Sequence, residues 1–180
     1  MNRKYELTNE SIPTINGNTI HRIRALRNFK DVRAGDLGGF IECERNLDHI
    51  GDCWVYNNAQ VYGKAWVSGN AGVFGYAWIY SDAKISGNAR VLDNALIYGN
   101  SRVSMNARIS GQAQVFGYAW VFDDAWVYKD TMIRGNAWVG GDAWIGGDAK
   151  LDSGIWNKTI NINGNKCLIS ITLHKKILMI

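Results

Sequence analysis

Gly69-Asn70-Ala71-Gly72-Val73-Phe74 is one copy of a six-residue phrase that runs seventeen times, without an insertion, from Gly51 to Asp152. Gly87-Asn88-Ala89-Arg90-Val91-Leu92 and Gly135-Asn136-Ala137-Trp138-Val139-Gly140 are further copies, and the consensus is Gly-Asn-Ala-x-Val-x. The fifth position is Val, Ile or Leu in all seventeen copies; the third is Ala in fourteen, with Cys53, Ser101 and Thr131 as the exceptions. Ala-x-Val-x alternates with period two, so each copy reads as a short strand with its small and aliphatic residues inward and two variable residues outward. The first position is Gly in eleven copies and the second is Asn or Asp in thirteen. These residues reach left-handed backbone angles cheaply or bond their own main chain. A strand and a bend repeated at constant length make a coil that stacks on itself, a parallel β-solenoid.

Hexads close most simply as a triangle of three, so the expected coil has 18 residues and the seventeen copies make nearly six coils. At a strand spacing of ~4.8 Å the prism is on the order of 27 Å long. Its core is a stack of Val and Ile columns with Ala near the corners, each buried aliphatic contributing roughly 1.5 to 3 kcal/mol. Five-residue phasing fails at once, which excludes a pentapeptide-repeat solenoid.

Outward from the repeat, the phase projects back to about Arg33. It puts Gly35 and Ile41 at the small position and Leu37 and Cys43 at the aliphatic one, and His49 breaks the pattern. Tyr5 to Leu7 and Thr19 to Leu26 alternate as strands around the turn Asn16-Gly17-Asn18, so a hairpin is expected at the N-terminus. After Lys150 the phase decays, and Thr159 to Leu173 reads as a second hairpin around Asn163-Gly164-Asn165. The expected organisation is an N-terminal hairpin cap over residues 1–32, a β-helix over 33–158 and a C-terminal cap segment over 159–180. The whole is all-β.

The 180 residues carry a net charge of +4, which permits an anionic partner and argues against mimicry of DNA. Three cysteines read as buried small side chains in a reducing compartment, and no secretory signal is visible from Met1 to Glu10. Leu168 to Ile180 is apolar but too short, and too interrupted by His174, Lys175 and Lys176, to span a bilayer. A cytoplasmic protein with no membrane partner is the expectation. His21, Arg22, Arg24, Arg27, Lys30 and Arg33 form the most basic segment, either a solvated edge or a contact surface for an acidic partner.

Arg22-Ile23-Arg24-Ala25-Leu26, then Gly35-Asp36-Leu37-Gly38-Gly39-Phe40-Ile41-Glu42, Asn46-Leu47 and Gly51-Asp52-Cys53-Trp54-Val55-Tyr56 open onto the hexads. That succession resembles the YdcK-like hexapeptide-repeat proteins of bacteria, phages and prophages, over roughly Tyr5 to Leu151. The resemblance implies a left-handed β-helix. It also raises the acyltransferase label carried by proteins of this helix, and side-by-side homotrimers. Those acyltransferases resemble one another in a general-base histidine and commonly an inserted loop. Here no histidine lies between Ile50 and Leu173, and His21, His49 and His174 suggest no metal site. No catalytic residue, cofactor or metal is therefore expected.

Residues eighteen apart stack, which assigns the outward positions to faces. One face stacks Tyr62, Tyr80, Tyr98 and Phe116 beside Trp78, Leu96 and Met132, a candidate surface for the C-terminal segment or for a second copy in a dimer or trimer. Aromatic stacking within the prism is the alternative. A second face carries Trp66, Trp120, Trp138 and Trp156; the third has Trp54, Trp126 and Trp144. Between the aromatic ends, Lys84 stacks on Arg102 and Arg90 on Arg108, with Ser86, Ser104 and Ser110 expected at the corner joining them. Four cations with hydroxyls, flanked by tryptophans, form a candidate patch for phosphates, nucleotides or nucleic acid. The reading is a non-catalytic binding or scaffold protein, associated with phages and able to inhibit a host or defence complex. An acyl-CoA-dependent acyltransferase and a purely structural spacer are the alternatives.

Overall fold

The computed structural model describes residues 3–157; the proposed C-terminal cap over 159–180 lies outside them. Eighteen two-residue strands, from β4 (Trp54–Val55) to β21 (Ile155–Trp156), stack in register to form a parallel β-solenoid of about six turns. Arg90 faces Arg108, Leu96 faces Gln114 and Arg102 faces Trp120, so each strand pairs with the one eighteen residues on. Three sheets result. Face one runs through Trp54, Gly72, Arg90, Arg108, Trp126 and Trp144. Face two runs through Gln60, Trp78, Leu96, Gln114, Met132 and Lys150. Face three runs through Trp66, Lys84, Arg102, Trp120 and Trp138.

The inward columns are as the hexad demands: Ala71, Val73, Ala89, Val91, Ala107 and Ile109 are all without solvent exposure. Where a hydroxyl replaces Ala it finds an acceptor. Ser101 Oγ donates to Tyr98 O at 2.8 Å, and Thr131 Oγ1 to Tyr128 O at 2.7 Å. A buried hydroxyl costs little once bonded in this way.

The bends divide the work of the first two positions. All seventeen first positions hold φ between +56° and +75°, six of them without being glycine. At three of those six the side chain bonds the next coil. Asn57 Oδ1, Asp93 Oδ2 and Asp123 Oδ2 accept the N–H of Gly75, Gly111 and Gly141 at 3.4, 2.8 and 3.0 Å. Ser81, Met105 and Lys129 hold the same conformation without such a bond, at about 1 kcal/mol each. The second positions bond one another instead. Asn70 donates to Asn88, Asn88 to Asn106 and Asn106 to Asp124, at 3.1, 3.0 and 3.0 Å, an amide ladder along one edge of the prism.

Upstream of Gly51 the projected phase is wrong by two residues. Phe40 pairs with Gln60, Ile41 with Val61 and Leu47 with Val67, an offset of twenty, because the bend between Leu47 and Trp54 is two residues longer than the bends of the hexads. Ile41 and Leu47 therefore fill the aliphatic columns, Leu37 is 58% exposed, and Cys43 is only half-buried. At the other end the last coil is one residue short. Trp138 pairs with Ile155 and Val139 with Trp156, which turns Trp156 inward onto the end of the core instead of stacking it on Trp138.

β1 (Tyr5–Pro13) and β2 (Thr19–Ala25) form an antiparallel hairpin, and β2 pairs with β3 (Leu37–Ile41), which joins face two. Beneath this cap Tyr5 and Phe29 pack edge-on against Trp54, at 6.1 and 5.4 Å between centroids. Tyr5 also stacks on His49 at 4.4 Å, and its hydroxyl donates to Leu47 O at 2.6 Å. Lys4 is wholly buried, its ammonium donating to Cys53 O at 2.9 Å and Gly51 O at 3.3 Å, so it closes the carbonyls of the first coil. Two arginines of the basic segment are paired within the cap. Arg22 lies 4.3 Å over Phe40 and pairs with Glu10 at 2.8 Å, and Arg24 pairs with Glu6.

Candidate functional site

Because the inward positions are fixed by the core, only the fourth and sixth positions of each hexad, and the bends, are free to carry a site. On face two the sixth positions form a row. Tyr62, Tyr80, Tyr98 and Phe116 stack with centroids 5.2, 5.0 and 4.7 Å apart and planes within 6°. This is the intramolecular stacking alternative. Part of its cover is neither of the expected ones. The N-terminal hairpin lays Ile20 on Tyr62 and Ile12 against the same cluster, and Phe40 of the strand Leu37–Ile41 joins them, leaving Tyr62 3% exposed. Burial, and then the neighbouring Tyr80, push the Tyr62 hydroxyl up to about 12. Tyr98, Phe116, Trp78, Leu96 and Met132 are half-buried, and the row ends at an Arg134–Asp152 ion pair. Trp54, expected as an open aromatic, is likewise sealed under the cap at 1% exposure.

Faces one and three carry the polar strip. On face three, successive rungs present Lys84, Arg102, Trp120 and Trp138; on face one, the same coils present Arg90, Arg108, Trp126 and Trp144. All four cations are exposed, and among the described residues none makes a salt bridge. Like charges directly opposite in a sheet are destabilising. The two like-charge stacks are therefore mildly unfavourable to folding, and water and salt screen them because all four side chains are exposed. Arg90 alone has an aromatic support, 5.6 Å over Phe74.

The expected serine corner is half right. Ser86 and Ser104 follow Ile85 and Val103 on face three and do meet the edge shared with face one. Ser110 follows Ile109 and sits at the far side of face one, since it is the sixth residue of its own hexad. Two of these serines orient indoles. Trp120 Nε1 donates to Ser104 Oγ and Trp126 Nε1 to Ser110 Oγ, both at 3.0 Å. Phe122 and Tyr128 occupy the corresponding place one coil on. Trp138 and Trp144 accordingly have no indole acceptor among the described residues and stand 42% and 47% exposed. Each packs edge-to-face on its predecessor, Trp120–Trp138 at 5.4 Å and Trp126–Trp144 at 5.2 Å.

Face three is also concave. A groove of about 590 Å³ runs along it between the outward row Lys84, Arg102, Trp120, Trp138 and the bend row Asp82, Asn100, Tyr118, Asn136. Sequence reasoning placed the first row and missed the second, because Tyr118 and the asparagines read as turn chemistry alone. The groove offers two cations and the Asp82 carboxylate at one end, three aromatic rings at the other and amides along its wall. Among the described residues no three His, Cys, Asp or Glu side chains converge to hold a metal. Nor is any helix there long and apolar enough to cross a membrane.

Fold and site together define a repeat β-solenoid scaffold. The family model for the YdcK beta solenoid repeat matches residues 83–99, a segment one residue short of a turn that carries Lys84, Arg90 and Leu96 on the three faces in succession. Over that segment the chain is similar to YdcK-like β-solenoid proteins. No curated protein matches it significantly.

Proposed function

We propose that this chain is a non-catalytic scaffold that binds nucleic acid on faces one and three of its solenoid. The observation that carries the reading is the pair of unneutralised like-charge stacks, Lys84 on Arg102 and Arg90 on Arg108, each running directly into a tryptophan pair. Phosphates satisfy the cations and release counterions. Planar bases stack on indoles without regard to sequence. The rigid spacing of the rungs means that little conformational entropy is lost on binding.

The half-buried remainder of the tyrosine face, around Leu96, Tyr98, Phe116 and Met132, supports self-association beside this activity. The likeness to phage-borne YdcK-like proteins supports an accessory role in the bacterial cytoplasm, where the scaffold occupies the nucleic-acid surface of a host or defence complex.

The test is fluorescence anisotropy with a labelled single-stranded oligonucleotide over a salt series. Substituting Lys84, Arg90, Arg102 and Arg108 together by Ser is expected to weaken binding at least about 100-fold and to flatten the salt slope. The circular dichroism spectrum should not change, because these side chains are exposed. Undiminished binding by this variant, or no binding by the native chain at low salt, rejects the reading.

A further inference from the structure

The two tryptophan pairs are copies of one device. Ala119-Trp120-Val121-Phe122 is followed at once by Ala125-Trp126-Val127-Tyr128 after a two-residue bend, and one coil later Ala137-Trp138-Val139-Gly140 is followed by Ala143-Trp144-Ile145-Gly146. The geometry is duplicated as closely as the sequence. In both copies the first indole donates to a serine at 3.0 Å. The second indole meets the first at 73° in one copy and 72° in the other. In both, an aromatic ring from the sixth position lies over a glycine of the next coil. A Cβ on Gly140 would come within 2.4 Å of Phe122, and one on Gly146 within 2.2 Å of Tyr128. The hexad does not require any of this, since face two carries Gln114 and Met132 on the same coils.

We propose that faces one and three each hold a separate binding strip for a short run of single-stranded nucleic acid, so that one solenoid takes two strands. The proposal rests on the nucleic-acid reading above and adds its stoichiometry and its order of affinity. Each strip is complete in itself. Cations on two rungs meet phosphates, and the next two rungs offer an indole held by serine and an indole with a free N–H.

The strips differ at the bend. Beside Trp120 the second position of the hexad is Tyr118, which lines the groove and extends the stacking surface. Beside Trp126 it is Asp124, whose carboxylate accepts a hydrogen bond from the amide of Asn106 at 3.0 Å. A carboxylate next to the stacking platform repels phosphate. The carboxylate on the face-three groove, Asp82, stands beside Lys84, two coils from the indoles, so face three is the tighter strip and face one the weaker.

The experiment titrates the full chain with a five-nucleotide oligothymidylate, following heat by calorimetry and complexes by native mass spectrometry. The expected result is two molecules bound per protein chain, in two steps of unequal affinity. Arg102→Ser removes the tighter step, Arg108→Ser removes the weaker, and each variant still binds one molecule. Trp120→Ala and Trp126→Ala repeat the pattern, weakening one step each by at least about tenfold. Asp124→Asn tightens only the weaker step, by roughly three- to tenfold.

A single bound molecule that both arginine variants abolish means one strand wrapped over the shared edge, and overturns the two-strip proposal while leaving the nucleic-acid reading in place. Two equal steps, or an Asp124→Asn variant with unchanged affinities, overturn the assigned order. No binding by the native chain overturns the functional reading itself.

Discussion

Trp54 and Trp144 occupy the same position of the same hexad on the same face, five coils apart, yet one is 1% exposed and the other 47%. The repeat treats them identically; the rest of the chain does not. At the N-terminal end Tyr5, Phe29 and the buried Lys4 close over the outward side of the solenoid and convert Trp54 into core. At the far end no described residue seals Trp138 or Trp144, and the indoles on which they pack, Trp120 and Trp126, are fixed by serine hydroxyls. An outward aromatic is a packing residue under a cap and a surface for recognition where the sheet is bare.

The largest effect expected from that contrast is on stability. Trp54→Ala empties a sealed pocket under the hairpin and should cost about 3 to 5 kcal/mol. Trp144→Ala, at the equivalent place but 47% exposed, should cost under about 1 kcal/mol. Urea unfolding of the two variants measures both. Equal losses would mean that the cap contributes nothing to the packing of its tryptophan.

Next in size is a glycine at the open end. Gly140 is covered by the Phe122 ring, which a Cβ would meet at 2.4 Å. Gly140→Ala therefore pushes Phe122 off the sheet and loosens it from Trp120, against which it now rests at 4.7 Å. Overpacking of this kind costs about 1 to 2 kcal/mol. The same substitution should lower oligonucleotide affinity, whereas in the capped half a stability loss should leave binding unchanged. Thermal melts and anisotropy on the one variant separate the two effects.

The third effect has the opposite sign. Tyr62 is buried by the hairpin, and its hydroxyl finds no hydrogen-bond partner among the described residues. Tyr62→Phe removes that orphan and should stabilise the chain by about 1 kcal/mol at neutral pH. The group also titrates. Its pKa is raised to about 12 by burial, against about 10 in an unfolded chain. The neutral form is therefore favoured by folding, and the contribution is complete below pH 10. It falls away as the pH rises from 10 to 12, where the unfolded chain has already lost the proton. Tyr5 and Tyr56 are raised as well, chiefly by burial, so the alkaline loss is concentrated at the capped end. Melting temperatures across pH 9 to 12 should show a steeper alkaline decline in the native chain than in Tyr62→Phe.

These contrasts mark what the sequence could and could not disclose. Period six, the small third residue and the aliphatic fifth residue determine the coil, its three faces and every stacked pair from Trp54 to Leu151, because stacking follows from counting by eighteen. The left-handed bends were half legible. Glycine signalled them, but Asn57, Asp93 and Asp123 hold the same angle by a bond across coils that no local pattern shows. Counting failed where the coil changes length, with two residues added between Leu47 and Trp54 and one missing before Trp156. It also failed wherever a distant segment returns. Nothing in a hexad says that Ile20 will cover Tyr62 or that Phe29 will seal Trp54. The cation stacks were visible as residues, but the groove beside them depends on bend side chains whose composition looks like turn chemistry.

The smallest effect on stability is the most informative about the open end. Ser104 Oγ accepts the indole N–H of Trp120 at 3.0 Å, and the pair is half-exposed. In Ser104→Ala, water replaces the lost acceptor, so the expected cost is only about 0.5 kcal/mol. The consequence for Trp120 is larger. Without the serine its ring is held by Phe122 and Trp138 alone, at 4.7 and 5.4 Å, and regains rotamer freedom that binding must then remove. The indole N–H resonance of Trp120 should shift and exchange faster with solvent, and oligonucleotide affinity should fall about three- to tenfold with no change in melting temperature beyond 1–2 °C. Ser110→Ala should do the same for Trp126 on the neighbouring face. An unaltered affinity with a freed indole would mean that the hydroxyls fix the tryptophans without preparing them for a partner. The open end would then owe its aromatics to packing, as the capped end does.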